Sequence, residues 1–482
     1  MIEVQNFINN QFQPAQNGSW IDVYEPATGK IYARLANSGK RDIDLAVNTA
    51  QSAFPEWARM SIDDRAILLN RIADLIESRA DEFAKAESID TGKPLRLASQ
   101  IDIPRAVSNF RFFAAASSQF ASESHSMPGH AINYTLRKPL GVVVCISPWN
   151  LPLYLFTWKI APALACGNTI VAKPSEITPV TASMLGQVFI DAGVPPGVLN
   201  IINGEGATAG ARLVTHEKIK AISFTGSTLT GQSIAKTTAS QFKKLSLEMG
   251  GKNPTLVFED CDFEKTVAGV LRSAFTNQGQ ICLCGSRILI QESIYERFRD
   301  ALVKKAQQLK IADPLHSDTK QGALVSQQHY NKVCSYLELA IEEGGTILCG
   351  GKDKVDGRCA QGWFIQPVLI EGLPNNCKTN QEEIFGPVAT LQSFTDESEA
   401  VSLANESDYG LACSIWSSNL SRCHRLSDEI ECGTVWVNCW LQRDLRTPFG
   451  GMKSSGLGHE GGLEAMRFFT EPKNICIEFG ND

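Results

Sequence analysis

The chain has 482 residues, a length at which a single core stops growing, so two or more domains with a cleft between them are expected. A net charge of −7 with no block of like charge excludes an electrostatic footprint for nucleic acid and points to a small-molecule partner. The 14 cysteines include no C-x-x-C pair, which argues against a zinc ribbon, a thioredoxin-type motif or any other metal site, and so many unpaired thiols suit a reduced, cytosolic setting.

The first residues, Met1 to Asn6, lack a basic region followed by an apolar core, so no secretory signal is read. After a strand-rich opening, Ser61-Ile62-Asp63-Asp64 marks a helix start, and Ile67, Leu68, Ile72, Leu75 and Ile76 keep helical spacing behind it. The uncharged stretch from Gly141 to Trp158 approaches the length of a membrane span, but Ser147-Pro148-Trp149-Asn150 and Pro152 divide it into a strand, a polar loop and a helix start. From there strands at Val142–Ile146, Thr169–Ala172, Val198–Ile202 and Ala221–Phe224 alternate with helices. That alternation predicts an α/β protein with a mostly parallel, doubly wound sheet and a ligand beyond the carboxyl ends of its strands.

Polar loops follow those strands. Lys173-Pro174-Ser175-Glu176 puts a cation and a carboxylate at the sheet edge, where a carboxylate can accept hydrogen bonds from a ribose diol. Gly204-Glu205-Gly206-Ala207-Thr208-Ala209-Gly210 reads as a decoy, because its last glycine comes one residue late for the dinucleotide fingerprint. Phe224-Thr225-Gly226-Ser227-Thr228 opens a helix, where backbone N–H groups favour phosphate. Leu247-Glu248-Met249-Gly250-Gly251 brings a carboxylate to a strand end. Cys282 lies between a polar turn, Thr276 to Gly279, and a strand, Ile288-Leu289-Ile290, a setting suited to a thiolate nucleophile. Taken singly, Glu248 also reads as an ordinary exposed acid and Cys282 as a small buried apolar side chain.

Seven stretches together resemble the aldehyde dehydrogenase superfamily in its order and spacing. They are Ser147-Pro148-Trp149-Asn150, Lys173-Pro174-Ser175-Glu176, Phe224-Thr225-Gly226-Ser227-Thr228, Glu248-Met249-Gly250-Gly251-Lys252, Gln278-Gly279-Gln280-Ile281-Cys282, Glu383-Ile384-Phe385-Gly386-Pro387 and Pro448-Phe449-Gly450-Gly451. The resemblance implies that Cys282 attacks an aldehyde carbon, that Asn150 and the Cys282 N–H hold the oxyanion, and that Glu248 activates the water that hydrolyses a thioester. It implies NAD as cofactor, with Lys173 and Glu176 at the adenosine ribose, Gly226 and Ser227 at the pyrophosphate, Trp149 at the adjoining wall, and Glu383 and Phe385 at the nicotinamide ribose. A carboxylate at Glu176 would repel a 2′-phosphate and so favours NAD over NADP. It also implies an NAD-binding domain at 1–117 and 139–249, a catalytic domain at 250–450 and a small β arm at 118–138 and 451–482 that joins chains into a homodimer or homotetramer.

Asp102-Ile103-Pro104-Arg105 and the run from Trp440 to Phe449 look like the corresponding stretches of 2-aminomuconic and 2-hydroxymuconic semialdehyde dehydrogenases. In that subgroup Arg105 and Arg443, with Arg446 as a weaker candidate, would face the carboxylate of a dicarboxylic semialdehyde, a planar anion suited to guanidinium forks. Tyr154 and Phe156 are bulkier than the aliphatic residues expected there, and Cys284 beside the nucleophile is unusual. Two alternatives stay open: a dehydrogenase for uncharged aldehydes such as retinal, betaine aldehyde or aliphatic aldehydes, and a catalytically silent structural homologue.

Overall fold

Runs rich in Val and Ile build the first sheet. Val142–Ile146, Thr169–Lys173, Leu199–Ile201, Ile219–Thr225 and Lys244–Glu248 are the five parallel strands at the heart of an eight-stranded sheet in a computed structural model that describes residues 1–480. Their side chains alternate between two cores, as a pleated strand requires. Val143, Ile170, Leu199 and Ala221 pack on one face with Ile72, Phe110 and Leu185, while Val142, Val144, Val171 and Ile222 pack on the other with Ile43, Val47 and Leu213. Helices therefore cover both faces, which is why these strands read as nearly continuous apolar runs.

The strand order places Val142–Ile146 between Thr169–Lys173 and Ile219–Thr225. The chain winds one way from Val142–Ile146 through Thr169–Lys173 to Leu199–Ile201, and the other way through Ile219–Thr225 to Lys244–Glu248. The loops leaving Ile146 and Thr225 therefore part at a switch point, where an open α/β sheet forms its ligand crevice. The helix starts are as read: Ser61 Oγ accepts the Asp64 N–H at 3.0 Å, and Ser227 caps Thr228–Thr238 by accepting the Thr230 N–H.

A second sheet of seven strands holds Asn253–Val257, Gly285–Gln291, Val388–Phe394, Ala412–Trp416 and Thr434–Val437 in parallel. A third, antiparallel sheet joins Ser124–Met127, Ala131–Pro139 and Thr470–Glu478. Its strands take up part of the segments 118–138 and 451–482. Gly456–Leu457 instead pairs with the edge strand Lys244–Glu248 of the first sheet, and helix Gly462–Phe468 packs on helix Pro152–Ala165. Residues 481–482 of that arm lie outside the described residues. Among the described residues no helix is long and apolar enough to cross a membrane, and Gly141–Trp158 resolves into a strand, a loop and a buried helix.

Candidate active site

Strand ends of the first sheet supply one wall of the cleft: Trp149 and Asn150 after Ile146, Gly226 and Ser227 after Thr225, and Glu248 at the end of its own strand. Thr225 and Glu248 are register partners, which fixes them side by side. The second sheet answers with the amino ends of two neighbouring strands. Cys282 precedes Gly285–Gln291, and Glu383 with Phe385 precedes Val388–Phe394.

The turn that carries Cys282 is held by side chains that occupy its carbonyls. Asn253 Nδ2 donates to the oxygens of Cys282 (2.7 Å) and Cys284 (2.9 Å), Trp440 Nε1 to Leu283 (2.8 Å), and Asn150 Nδ2 to Gln280 (2.9 Å). Just upstream, Asn277 and Gln278 adopt left-handed backbone (φ 54° each), as does Gly279, where an added Cβ would lie 2.0 Å from the Gly386 carbonyl. Two consecutive non-glycine residues in this region are strained, a state kept where surrounding bonds over-determine it. Among the described residues no backbone carbonyl accepts the Cys282 N–H, which lies against its own sulfur. An unspent backbone donor beside the sulfur is what an oxyanion needs.

Cys282 stands where two cavities meet. One, of about 490 Å³, is lined by Trp149, Asn150, Gly226, Ser227, Glu383 and Phe385. The other is a narrow passage of about 50 Å³ lined by Tyr154, Trp158, Glu248, Arg443, Phe449 and Glu460. Cys282, Leu155, Thr225 and Met249 border both. The sulfur is thus reached from a roomy side and a slender side at once.

Electrostatics favour the neutral form of both reactive groups. Burial, with the charges of Glu383 and Glu248, pushes the Cys282 thiol up to about 12. Glu248 is buried with both oxygens lacking a partner; burial and then Glu460 raise its carboxyl well above the usual range, partly offset by Lys159 and Arg443. Low thiol pKa is therefore not built into this pocket, contrary to what a preformed thiolate requires. The proton must leave as the sulfur attacks.

The larger cavity fits a dinucleotide. Glu383 accepts the Gly251 N–H at 3.0 Å, and a Cβ on Gly250 would lie 2.0 Å from its carboxylate, so only glycine lets that acid sit against the backbone here. Lys173 and Glu176 pair at 3.1 Å just outside the lining. Burial alone would raise the Glu176 carboxyl, but the Lys173 ammonium and the Gly206 N–H hold it below its ordinary value. The glycine loop read as a decoy thus supports Glu176 instead.

The three arginines part company. Arg443 stacks 3.8 Å from the Phe449 ring centroid and 5.8 Å from that of Trp158. Arg105 lies over Tyr154 and Trp158, with its Nε and Nη2 buried and unpartnered. Arg446 is exposed and forks onto Asp444 two residues away, so its donors are already taken. Phe156 faces the core and does not shape the passage, whereas Tyr154 does. Cys284 is buried with its sulfur on the Thr276 carbonyl, and burial pushes its thiol upward.

Some residues of the cleft escaped sequence reasoning. Lys159 donates to Glu460 at 2.7 Å, 301 positions away, and both act on Glu248. A lysine inside a helix and a glutamate in a glycine-rich loop carry no local signal of that meeting. His329 donates through Nε2 to the Phe385 carbonyl (2.7 Å) and packs on Trp149; burial lowers its pKa to about 4, so it is neutral.

Such a cleft, with a cysteine between a nucleotide-sized cavity on a doubly wound sheet and a narrow passage, has the layout of an α/β enzyme that binds a dinucleotide. The profile of the aldehyde dehydrogenase family matches residues 12–475. The chain is 48% identical over 482 residues to 2-aminomuconic semialdehyde dehydrogenase of Homo sapiens, covering 99% of each, and 46% identical over 485 residues to 2-hydroxymuconic semialdehyde dehydrogenase of Pseudomonas sp. (strain CF600), covering 99% of this chain and 100% of the other. It superposes on an NAD+ complex of aldehyde dehydrogenase from Bacillus cereus with a TM-score of 0.97 at 37% identity, covering 99% of this chain and 97% of that one. The chain belongs to the aldehyde dehydrogenase family, and it is an enzyme that oxidises aldehydes.

Proposed function

We propose that this aldehyde dehydrogenase uses NAD to oxidise a dicarboxylic semialdehyde of the 2-aminomuconic or 2-hydroxymuconic type. The observation that carries the substrate class is the pair of guanidinium groups at the slender cavity, Arg443 on its wall and Arg105 behind Tyr154 with two buried donors unspent. Buried guanidinium N–H donors without a partner are costly, and a carboxylate delivered by the substrate satisfies them with charge-assisted bonds.

Cys282 attacks the aldehyde carbon, and its proton leaves toward Glu383, the carboxylate with the larger effect on the thiol. Asn150 spends one amide N–H on Gln280 and has a second for the developing oxyanion, alongside the Cys282 N–H. NAD, when bound, supplies the hydride acceptor that turns the thiohemiacetal into a thioester. Glu248 then takes a proton from the hydrolytic water, with Lys159 and Glu460 behind it, and the product is a carboxylic acid. Trp149, Gly226, Ser227, Glu383 and Phe385 would hold the nicotinamide half and pyrophosphate, and Lys173 with Glu176 the adenosine ribose. The observations on Gly250, Glu383 and the Ser227-capped helix support that fit.

The exposed edge strand Thr470–Glu478, with Ile477 and Phe479 in solvent, supports assembly into a homodimer or homotetramer. Fourteen free cysteines support a cytoplasmic setting. The test is a comparison of kcat/KM for 2-hydroxymuconic semialdehyde and for uncharged aldehydes of similar length at equal NAD. The semialdehyde is expected to lead by about tenfold or more, the worth of one charge-assisted contact; equal values favour the uncharged-aldehyde alternative.

A further inference from the structure

Behind Asn150 lies a charged cluster that the reaction above does not use. Lys93 and Asp102 form an ion pair in which both side chains are 0% exposed. A pair this deep is poor evidence of stabilisation, because desolvation offsets the attraction and an apolar pair of similar size often serves as well or better. Its geometry shows another use.

Lys93 Nζ also donates to the Asn150 carbonyl at 3.0 Å. The same carbonyl accepts from Asn277 Nδ2 at 3.2 Å, and Asn277 reaches the Gln280 carbonyl as well (3.1 Å), the atom to which Asn150 gives its own amide. Three residues further on, Glu87 accepts the Leu153 N–H at 3.3 Å and the Thr181 hydroxyl at 2.7 Å. The segment Asn150–Leu153 is therefore strung between a buried cation at one end and a buried carboxyl at the other. Asp102, which anchors the lysine, sits in a widened helical turn, Ala98–Asp102, on the border of the slender cavity. Widened turns of this kind occur frequently at functional sites.

We propose that Lys93, anchored by Asp102 and joined by Asn277, positions Asn150, fixing its peptide so that the free amide N–H points at the oxygen of the reacting carbonyl. This rests on the role of Asn150 proposed above. The three residues act through Asn150 and touch no reacting atom. A donor displaced by a fraction of an ångström loses much of its effect on the transition state while the ground state binds much as before, so the expected change is in kcat.

The test is a double-mutant cycle of the whole enzyme with NAD and one aldehyde, comparing wild type, N150A, the apolar pair K93M/D102L, and the three changes combined. N150A is expected to lower kcat by about 10²–10³. K93M/D102L is expected to lower it by about 10- to 100-fold, with KM for the aldehyde changed less than about threefold and the melting temperature kept or raised. The combined protein is expected to match N150A alone, since a positioning pair has nothing left to position. An unchanged kcat in K93M/D102L, or a loss that multiplies that of N150A, overturns the proposal while leaving the oxyanion role intact; an unchanged kcat in N150A overturns that role and the proposal with it. Should the apolar pair fail to fold, N277S is read in the same cycle, and a wild-type kcat there also overturns the proposal.

Discussion

A Glu248→Gln enzyme is expected to give one fast turnover per active site and then run about 10²–10⁴ slower than wild type. Sulfur attack and oxidation keep Cys282, its proton acceptor Glu383, the oxyanion donors and the cofactor, so they survive; hydrolysis of the thioester needs a base, which glutamine cannot be. The pH dependence follows from the environment of Glu248. Burial and Glu460 raise its carboxyl well above the usual range, and the fraction in the basic form grows as pH rises. Wild-type steady-state turnover should therefore climb with pH through a pKa well above that of an ordinary carboxylate, and the glutamine variant should lose that limb. The first turnover follows a different group. Its rate is tied to release of the Cys282 proton, held up to about 12 by burial and two carboxylates, so stopped-flow traces should still quicken with pH in the variant. A first turnover as slow as all later ones would place Glu248 in the attack step instead.

Replacing Arg105 or Arg443 by alanine is expected to lower kcat/KM for the carboxylated substrate by about 10- to 100-fold for each arginine, the range of hydrogen bonds to charged groups. Uncharged aldehydes of similar length should be affected much less. The two changes should differ in character. Arg443 stacks on Phe449 and also offsets the raised pKa of Glu248, so its loss should also shift the alkaline limb upward. Arg105 lies over Tyr154 with two unpartnered nitrogens and has no part in the environment of Glu248, so its removal should leave the alkaline limb in place. Steady-state kinetics on both substrate types, with a pH profile for each variant, check this. Equal losses on both types would show that the arginines shape the passage and do not read the anion.

Much of this cleft was legible before any coordinates, for a physical reason. A doubly wound sheet brings its strand ends together by construction, so the polar loops after its strands were already candidates, and Glu176, Gly226, Ser227 and Glu248 fall there, whereas the role of Asn150 came only from the resemblance. Cys282, Glu383 and Phe385 belong to the amino ends of the second sheet's strands, and neither alternation nor spacing shows that this end meets the first sheet; there the family resemblance did the work. What stayed hidden are contacts made by side chains far apart in the chain. Nothing in the sequence around Lys93 marks it, yet it is fully buried on Asp102. Lys159 and Glu460 read as unrelated charges, yet they form one pair beside Glu248. Arg446, the weaker candidate of the resemblance, has its fork on the nearer Asp444.

All of this depends on the sulfur of Cys282 taking the acyl group. The direct measurement is mass spectrometry of the Glu248→Gln protein, quenched after mixing with NAD and the semialdehyde, then digested and mapped. One acyl group per chain, carried on the peptide that contains Cys282 and absent from a Cys282→Ala control, is the predicted result. An unmodified Cys282 peptide in protein that has completed its first turnover, or an acyl group found on another residue, would contradict it.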